Sequence, residues 1–344
     1  MSTFDQTLRS VKSPAGANSK SFIATLAPRL AVRLIAAAAA VLCSIPACAA
    51  QLQADQLPSW NDGEAKQQIS KFVQTVSDPS SSVPPDQRIA VFDLDGTLWT
   101  EQPLPAQLVF FGDRRTELAT LELTGGIPVE RYTQMVEQWL ETAKQPCFEQ
   151  SYSDLVYKPM LELLQYMRNN GFRTYIVSGS GIEFIRTFSE KAFGIPPEQV
   201  IGSSADTDFK VGPDGKPVLK LKWRPDSIDD GKVKAVSINK FIGRRPLAAF
   251  GNSDGDQQML QWTAAGDGPR LMLLVHHTDD AREYKYKRDS FNGRLGDRTL
   301  NEVRSQSGKD PKHWWIVVDM QKDWNTIYAP ASVTKNGSSA CNPR

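Results

Sequence analysis

The stretch VFDLDGTLWT, residues 91–100, ends an apolar run with two aspartates, Asp93 and Asp95, and continues at once with Gly96 and Thr97. The apolar residues 89–92 include β-branched side chains, which predicts a strand buried on both faces. Two carboxylates this close repel each other, so one must be protonated or a cation must lie beside them. The stretch therefore predicts a buried strand that ends in a charged site.

Three later stretches have the same design, an apolar run that ends in polar residues: FRTYIVSGSG (172–181), RPLAAFGNSDGD (245–256) and RLMLLVHHTDD (270–280). Helix-like segments lie between them, and alternating strands and helices predict parallel βαβ units. The fold class is therefore α/β with a Rossmann-like parallel sheet. Ligands of such sheets bind at the carboxyl ends of the strands, so we expect the polar residues to meet in one crevice.

The alternation is interrupted by residues 100–149, which contain the helix-like run ERYTQMVEQWLETAK and a hinge-like break at GGIP. We predict a small helical cap inserted after the first motif, over the crevice. A turn signal at Pro213-Asp214-Gly215, within VGPDGKPVLKLKW, predicts a hairpin at the sheet edge. The predicted organisation is a leader (1–50), an N-terminal helix and loop (51–87), a core (88–99 and 150–330), the cap (100–149) and a C-terminal tail (331–344).

The first 50 residues are typical of a cleaved export signal. Arg29 and Arg33 precede the apolar segment LIAAAAAVLCSIPACAA, and Ala47-Cys48-Ala49 has the form of a cleavage site. We therefore expect a periplasmic or secreted protein without stable membrane association after cleavage; an uncleaved anchor is the alternative. Of the cysteines outside this segment, Cys147 and Cys341 could pair in an oxidising compartment or remain free thiols.

The charge balance excludes a general affinity for polyanions. Residues 1–50 contain five Lys/Arg and one Asp, so residues 51–344 have 35 basic and 38 acidic side chains, a net charge of −3. A body without basic excess does not attract nucleic acid or an anionic membrane surface. The sequence indicates no oligomeric state.

The polar residues at the strand ends suit phosphoryl transfer with Mg²⁺, which prefers a few carboxylates, water and substrate phosphate. One aspartate can attack phosphorus, and its neighbour two residues on can act as acid and base. Ser178 can donate its hydroxyl to phosphoryl oxygens, and a lysine can offset their charge. GNSDGD offers Asp254 and Asp256, with Asn252 as a further oxygen donor, for the other half of a metal site.

Four stretches in order, VFDLDGTLW, IVSGSG, DDGKVKAVSINKFIG and AFGNSDGD, resemble the motifs of the haloacid dehalogenase superfamily, in its branch similar to phosphoserine phosphatases. The resemblance implies that Asp93 is the nucleophile and Asp95 the acid and base, with the Asp95 carbonyl also binding Mg²⁺. It implies phosphate binding by Thr97, Ser178, Gly179 and Lys232, and metal binding by Asp93, Asp95, Asn252, Asp254 and Asp256.

Two positions depart from the family pattern or leave a choice. The fourth motif commonly begins Gly-Asp, whereas Asn252 follows Gly251 here, so Asn252 and Asp254 stay joint candidates beside Asp256. Lys234 lies two residues after Lys232 and is the alternative lysine.

Other candidate residues carry weaker signals. Glu101 and Gln102 follow the first motif, and Glu101 is a weak candidate for substrate contact. We interpret His276 and His277 as a hydrogen-bonded or exposed pair rather than as metal ligands. The C-terminal tryptophans Trp314, Trp315 and Trp324 are interpreted as packing residues.

The expected function is that of an exported Mg²⁺-dependent phosphomonoesterase that acts on a small phosphorylated metabolite through phospho-Asp93. The alternatives are a phosphotransferase on the same core and a catalytically impaired protein that binds a phosphate ligand. The sequence does not identify the substrate.

Overall fold

The computed structural model describes residues 55–286, 288–329 and 335. They belong to one compact unit, residues 54–344. The predicted leader and all of the predicted tail except residue 335 lie outside the described residues. Within the described ranges, no helix is both long enough and apolar enough to cross a membrane.

Strands and helices alternate along much of the described chain. The strands are β1 (Ile89–Phe92), β2 (Ile127–Pro128), β3 (Lys144–Gln145), β4 (Gln150–Ser151), β5 (Arg173–Gly181), β6 (Val200–Val211), β7 (Pro217–Ser227), β8 (Ala248–Gly251), β9 (Arg270–His276) and β10 (His313–Asp319). The helices are α1 (Glu64–Ser77), α2 (Ala106–Asp113), α3 (Arg115–Leu123), α4 (Val129–Thr142), α5 (Lys158–Asn169), α6 (Ile182–Arg186), α7 (Ser189–Phe193), α8 (Lys232–Ile242), α9 (Gln257–Ala264), α10 (Asp297–Gln306) and α11 (Met320–Asp323).

The central sheet has the order β10-β9-β8-β1-β5-β6-β7-β2. The strands from β10 to β6 are parallel, and β7 and β2 add antiparallel edge strands. The predicted α/β fold class with a mostly parallel sheet is confirmed. β1 has the predicted bounds and lies between β8 and β5, so the first motif emerges at the centre of the sheet.

Both faces of the sheet are buried, which explains the continuous apolar runs. In β1, Ala90 and Phe92 belong to one hydrophobic cluster, together with residues of α1 and α5. Ile89 and Val91 belong to the cluster on the other face, with residues of α8, α9 and α10. The side chains alternate because successive residues of a strand point to opposite faces.

The segment predicted as a cap contains α2, α3 and α4. Its GGIP break lies between α3 and α4, where Gly125 and Gly126 have φ of 99° and 98°. The break is not simply a hinge, because Ile127 and Pro128 form β2, which pairs with Leu221 and Lys220 of β7. The antiparallel β6–β7 pair is the predicted hairpin. The inserted helices are therefore tied to the hairpin at the sheet edge.

The strand β10, which was not predicted from the sequence, pairs in parallel with β9 along its whole length. Its tryptophans are packing residues, as interpreted: Trp315 is buried on one face, and Trp314 packs against the cluster on the other. Trp324 is fully buried and contacts Trp60 edge-on at 5.7 Å. Cys147 is also fully buried and is disulfide-bonded; Cys341, with which the sequence left pairing open, lies outside the described residues.

Candidate active site

Asp93 follows β1 and lies at the carboxyl edge of the sheet. Its backbone N–H donates to the Phe250 carbonyl of β8 at 2.9 Å, which fixes the strand end. Its side chain is buried. Lys234 donates to Oδ1 at 2.6 Å, and Thr97 lies 3.2 Å from Oδ2 through its hydroxyl. The carboxylate is thus held on both oxygens.

Lys234, and not the predicted Lys232, lies beside the aspartates. The Lys234 ammonium also donates to Asp256 Oδ1 at 2.7 Å, so that it bridges Asp93 and Asp256. Lys232 is exposed at the first position of α8. An α-helix advances about 100° per residue, so two residues turn the side chain to the opposite side. Lys234, the alternative that the sequence offered, is therefore the lysine that the structure places beside Asp93 and Asp256.

The three candidate metal ligands of the fourth motif, Asn252, Asp254 and Asp256, make different contacts in the structure. Asp256 is fully buried and accepts from the backbone N–H of Asn252 and Ser253, each at 3.0 Å, through Oδ2. Asp254 turns toward the start of α10, where Oδ1 accepts from the Gly296 N–H at 3.0 Å and the Thr299 hydroxyl at 2.6 Å. Of the three, Asn252 is the one whose side chain contacts the first motif.

The side-chain amide of Asn252 is placed where it could contribute a ligand to a bound cation. One of its terminal atoms lies 3.1 Å from Asp93 Oδ2, from the Asp95 carbonyl and from the Thr97 hydroxyl. With nitrogen in that position the amide donates to these oxygens. With oxygen there, an amide, a carboxylate and a carbonyl oxygen converge, and such oxygen ligands suit Mg²⁺. In the described part of the chain, no three His, Cys, Asp or Glu side chains form a metal-binding group, so this set depends on the amide and the carbonyl.

Gly96 is required by the tight approach of Asn252 to the loop. Its φ is 78°, and a Cβ at this position would lie 2.1 Å from Asn252 Nδ2. Glycine adopts this backbone conformation at no steric cost. The Asp-Gly-Thr sequence therefore lets Asn252 reach the Asp95 carbonyl.

Asp95 is held in place by two side chains that were not singled out from the sequence. Ser180 donates to Oδ2 at 2.5 Å, and the Trp99 ring N–H donates to Oδ1 at 2.8 Å. Trp99 is buried and stacks on Phe188 with ring centroids 4.7 Å apart. The sequence did indicate Ser180: it lies two residues after Ser178, and a strand places such residues on the same face.

A cavity of about 450 Å³ opens over these residues. The predicted residues Asp93, Asp95, Ser178, Gly179 and Asp254 line it, as do Lys234 and Ser180. Thr97, Asn252 and Asp256 lie behind this lining. The crevice predicted at the strand ends is therefore present.

Glu101 and Gln102 connect the first motif to the loop of residues 290–294, which forms another wall of the cavity. Gln102 donates to the Asn292 carbonyl at 3.0 Å. Glu101 is buried in the cavity wall, 3.4 Å from Asn252 Nδ2. Burial, and then repulsion from Asp95 and Asp93, raises the pKa of Glu101 well above its usual range.

The site holds more negative charge than Lys234 can balance. Burial raises the pKa of Asp93 to about 8, repulsion from Asp256 adds to this, and Lys234 opposes it. Burial also raises the pKa of Asp95, against the hydrogen bonds from Ser180 and Trp99. Since carboxylates this close disfavour each other's ionisation, a cation or bound protons must compensate them.

His277 is hydrogen-bonded to the backbone of the first motif. Its Nε2 lies 2.7 Å from the Gly96 carbonyl, which can only accept, so Nε2 donates. Its Nδ1 lies 3.1 Å from Glu283 Oε2, and its ring stacks on Tyr286 at 3.7 Å. His277 is thus buried and hydrogen-bonded, while His276 is partly exposed, with a pKa that burial lowers.

Three comparisons with known proteins bear on this site. The model of haloacid dehalogenase-like hydrolases matches residues 90–261, half of the chain. No curated protein matches the chain. Similar solved structures include a functionally unknown protein from Anaerococcus prevotii, with 14% identity and a TM-score of 0.47 over 73% of this chain and 91% of that one.

Two further solved structures have related descriptions. A phosphoserine phosphohydrolase-like protein from Francisella tularensis is 17% identical, with a TM-score of 0.36 over 63% of this chain and 98% of its own. A substrate-bound phosphoserine phosphatase is 14% identical, with a TM-score of 0.31 over 64% of this chain and 97% of its own. These values are too low for any function to be carried over to this chain.

The fold is an α/β fold with a mostly parallel sheet, and the site places a candidate carboxylate nucleophile, Asp93, at the end of the central strand. The chain belongs to the haloacid dehalogenase-like hydrolases.

Proposed function

We propose that the protein is an exported, Mg²⁺-dependent phosphomonoesterase that acts on a small phosphorylated metabolite through phospho-Asp93. The observation that carries the proposal is the pair of aspartates with separate fixed environments. Asp93 is held by Lys234, and Asp95, two residues on, is held by Ser180 and Trp99 at the cavity wall. One carboxylate is positioned for attack and the other for proton transfer.

In the first step, the Asp93 carboxylate attacks phosphorus and the bond from phosphorus to the alcohol oxygen breaks. Asp95 donates its proton to that oxygen; its raised pKa favours the protonated acid. In the second step, water attacks the phosphorus of phospho-Asp93 and Asp95 accepts a proton from the water. The acyl phosphate bond breaks, which restores the Asp93 carboxylate and releases phosphate.

The chain's other polar groups orient the phosphoryl group. Ser178 and Lys234 line the cavity beside Asp93 and can donate to phosphoryl oxygens. Asp93, Asn252 and the Asp95 carbonyl would hold Mg²⁺, which would neutralise phosphoryl charge. The amide of Asn252 replaces the carboxylate common in this motif, so the ligand set carries one negative charge less.

Export is supported by two features. The leader has the apolar core and cleavage form of a signal segment. Cys147 is disulfide-bonded, and disulfides persist mainly in oxidising compartments.

The direct test measures hydrolysis of 4-nitrophenyl phosphate with Mg²⁺ and with a chelator. We expect turnover that chelation abolishes and Mg²⁺ restores. Binding of Mg²⁺ and of a phosphate ligand without turnover of any phosphomonoester would contradict the proposal and favour the binding-protein alternative.

Replacement of Lys234 by methionine should lower kcat/KM for 4-nitrophenyl phosphate by about 10²- to 10³-fold, because a donor to the charged phosphoryl group is lost. The matched control is Lys232→Met, two residues earlier on the same helix and exposed. It should keep kcat/KM within about twofold of the unsubstituted chain, because it removes no contact at the site. Equal losses in both variants would contradict the assignment of Lys234.

A further inference from the structure

A second cavity of about 450 Å³ adjoins the catalytic cavity. Gln107, Leu108 and Gly179 line both. The end of β5 forms the shared border: Ser178 and Ser180 line the catalytic cavity, whereas Gly181 lines the second one. A ligand with its phosphoryl group near Asp93 can therefore extend past Gly179 into the second cavity.

Gln107 of α2 fixes this border. Its Oε1 accepts from the Gly181 N–H at 2.7 Å. A Cβ at Gly181 would lie 2.5 Å from Gln107 Nε2, so a larger residue here would displace the Gln107 amide. The inserted helices are therefore anchored to the end of β5 at the junction of the two cavities.

The lining of the second cavity is predominantly apolar, whereas acids and serines dominate the first. Phe111 of α2 and Trp223 of β7 form one side, with ring centroids 5.0 Å apart. Ile127 of β2 and Leu221 of β7 join them from the strand pair that ties the cap to the hairpin. The apolar wall is thus built by the inserted segment, through α2 and β2, and by the hairpin, through β7.

Several large apolar side chains of this cavity are exposed in the structure. Trp223 is 52% exposed, Ile228 56% and Leu108 42%. Exposed apolar residues that cluster around a concavity, rather than occurring singly, mark a binding surface. The cavity volume is in the range of small-molecule sites, and its continuity with the catalytic cavity favours a substrate over a protein partner.

The charged side chains that line the second cavity are paired with neighbours outside it. Lys222 contacts Asp208 at 2.7 Å, Arg224 is hydrogen-bonded to Asp206, and Glu183 contacts Arg186 at 3.2 Å. Since these charges are already balanced, the cavity favours an uncharged occupant over a second phosphate or a carboxylate.

We propose that the second cavity binds the alcohol part of the substrate, and that this part carries an uncharged aromatic or bulky apolar group. The inference rests on the proposed phosphomonoesterase function and narrows its substrate class. The phosphoryl group lies in the polar cavity, and the apolar group lies between Phe111 and Trp223 on one side and Ile228 on another.

The test compares ethylphosphonate with 2-phenylethylphosphonate, two non-hydrolysable ligands that differ by one phenyl group. Dissociation constants are measured by calorimetry on the full chain with Mg²⁺. We expect the phenyl compound to bind at least about tenfold more tightly, because burial of apolar groups in such pockets gives discrimination of this order. Equal affinities would overturn the inference.

Trp223→Ala should reduce this preference by about tenfold, because it removes one wall of the cavity. The matched control is Phe209→Ala, which removes an exposed aromatic side chain of the same hairpin that lines neither cavity. It should leave the preference unchanged. A preference that is the same in both variants would overturn the assignment of this cavity.

Hydrolysis is measured separately, with ethyl phosphate and 2-phenylethyl phosphate, whose leaving alcohols are both primary. Turnover of both esters with equal kcat/KM would overturn the subsite and leave the phosphomonoesterase in place. Tight, Trp223-dependent phosphonate binding without turnover of either ester would support the subsite and contradict the proposed reaction.

Discussion

Replacement of Asp93 by asparagine is expected to lower kcat for 4-nitrophenyl phosphate by on the order of 10⁴-fold or more, because no carboxylate remains to form the acyl phosphate. Asparagine keeps the shape of the side chain and can still accept from Lys234. The matched control is Asp86→Asn, an exposed position shortly before the same strand. Comparable turnover of Asp93→Asn and the unsubstituted chain would contradict the phospho-Asp93 mechanism.

The same variant should be more stable than the unsubstituted chain at pH 8 without Mg²⁺. The pKa of Asp93 is raised from 3.8 to about 8, so the folded state keeps a proton that the unfolded state loses. This contribution to stability is fully present below pH 4 and is lost as the pH rises toward 8. Asparagine has no such proton to lose.

Thermal unfolding from pH 4 to pH 8, with and without Mg²⁺, measures this effect. The unsubstituted chain should lose stability toward pH 8 relative to Asp93→Asn, and Mg²⁺ should narrow the difference because it compensates the carboxylates. A lower Tm for Asp93→Asn at every pH would contradict this interpretation and would point to a structural role of the carboxylate. Functional sites of this kind commonly trade stability for activity.

The centre of the fold was predictable because its signals are local. A continuous apolar run that ends in polar residues needs only its own residues to indicate a buried strand, so β1 was predicted with its correct bounds. The parallel arrangement then placed Asp93 and Ser178 at one edge of the sheet. The apolar part of β10 carried a similar signal, but it follows a stretch without strand-like alternation and was not recognised.

The choice between Lys232 and Lys234 shows where sequence reasoning ends. Side chains two residues apart on a helix point to nearly opposite sides, so the answer depends on which side of α8 faces the aspartates, and the local sequence does not give that orientation. The orientation of Asp254 likewise depends on its contacts with Gly296 and Thr299, which lie more than 40 residues away in sequence.

The buried network around Glu283 could not be predicted from local patterns, because its members come from distant parts of the chain. Glu283 is fully buried, and its carboxylate accepts from Tyr157 at 3.0 Å, from Thr100 at 3.3 Å and from the Tyr284 N–H at 2.6 Å. It also contacts His277, which donates to the Gly96 carbonyl. The network therefore connects the core behind the sheet edge to the loop that carries Asp93 and Asp95.

Replacement of Glu283 by alanine is expected to lower the free energy of unfolding by about 3–5 kcal/mol, since it leaves several buried donors without their acceptor and His277 Nδ1 without its partner. For a chain of this size the loss corresponds to a fall in Tm on the order of 10 °C. Chemical denaturation followed by tryptophan fluorescence, with thermal unfolding as a second probe, measures both values. The matched control is Glu141→Ala, an exposed position on α4, which should change the free energy by less than about 0.5 kcal/mol.

The loss in Glu283→Ala should also reach the active site through His277. At a temperature well below its Tm, the variant should have a lower kcat, because Glu283 no longer positions the His277 ring that donates to the Gly96 carbonyl. His277→Gln should lower kcat in the same way, and the double variant should lose less than the sum of the two single losses, because both residues act on the same carbonyl. Additive losses would show that Glu283 and His277 act independently, and a variant as stable as Glu141→Ala would contradict the role of the network in folding.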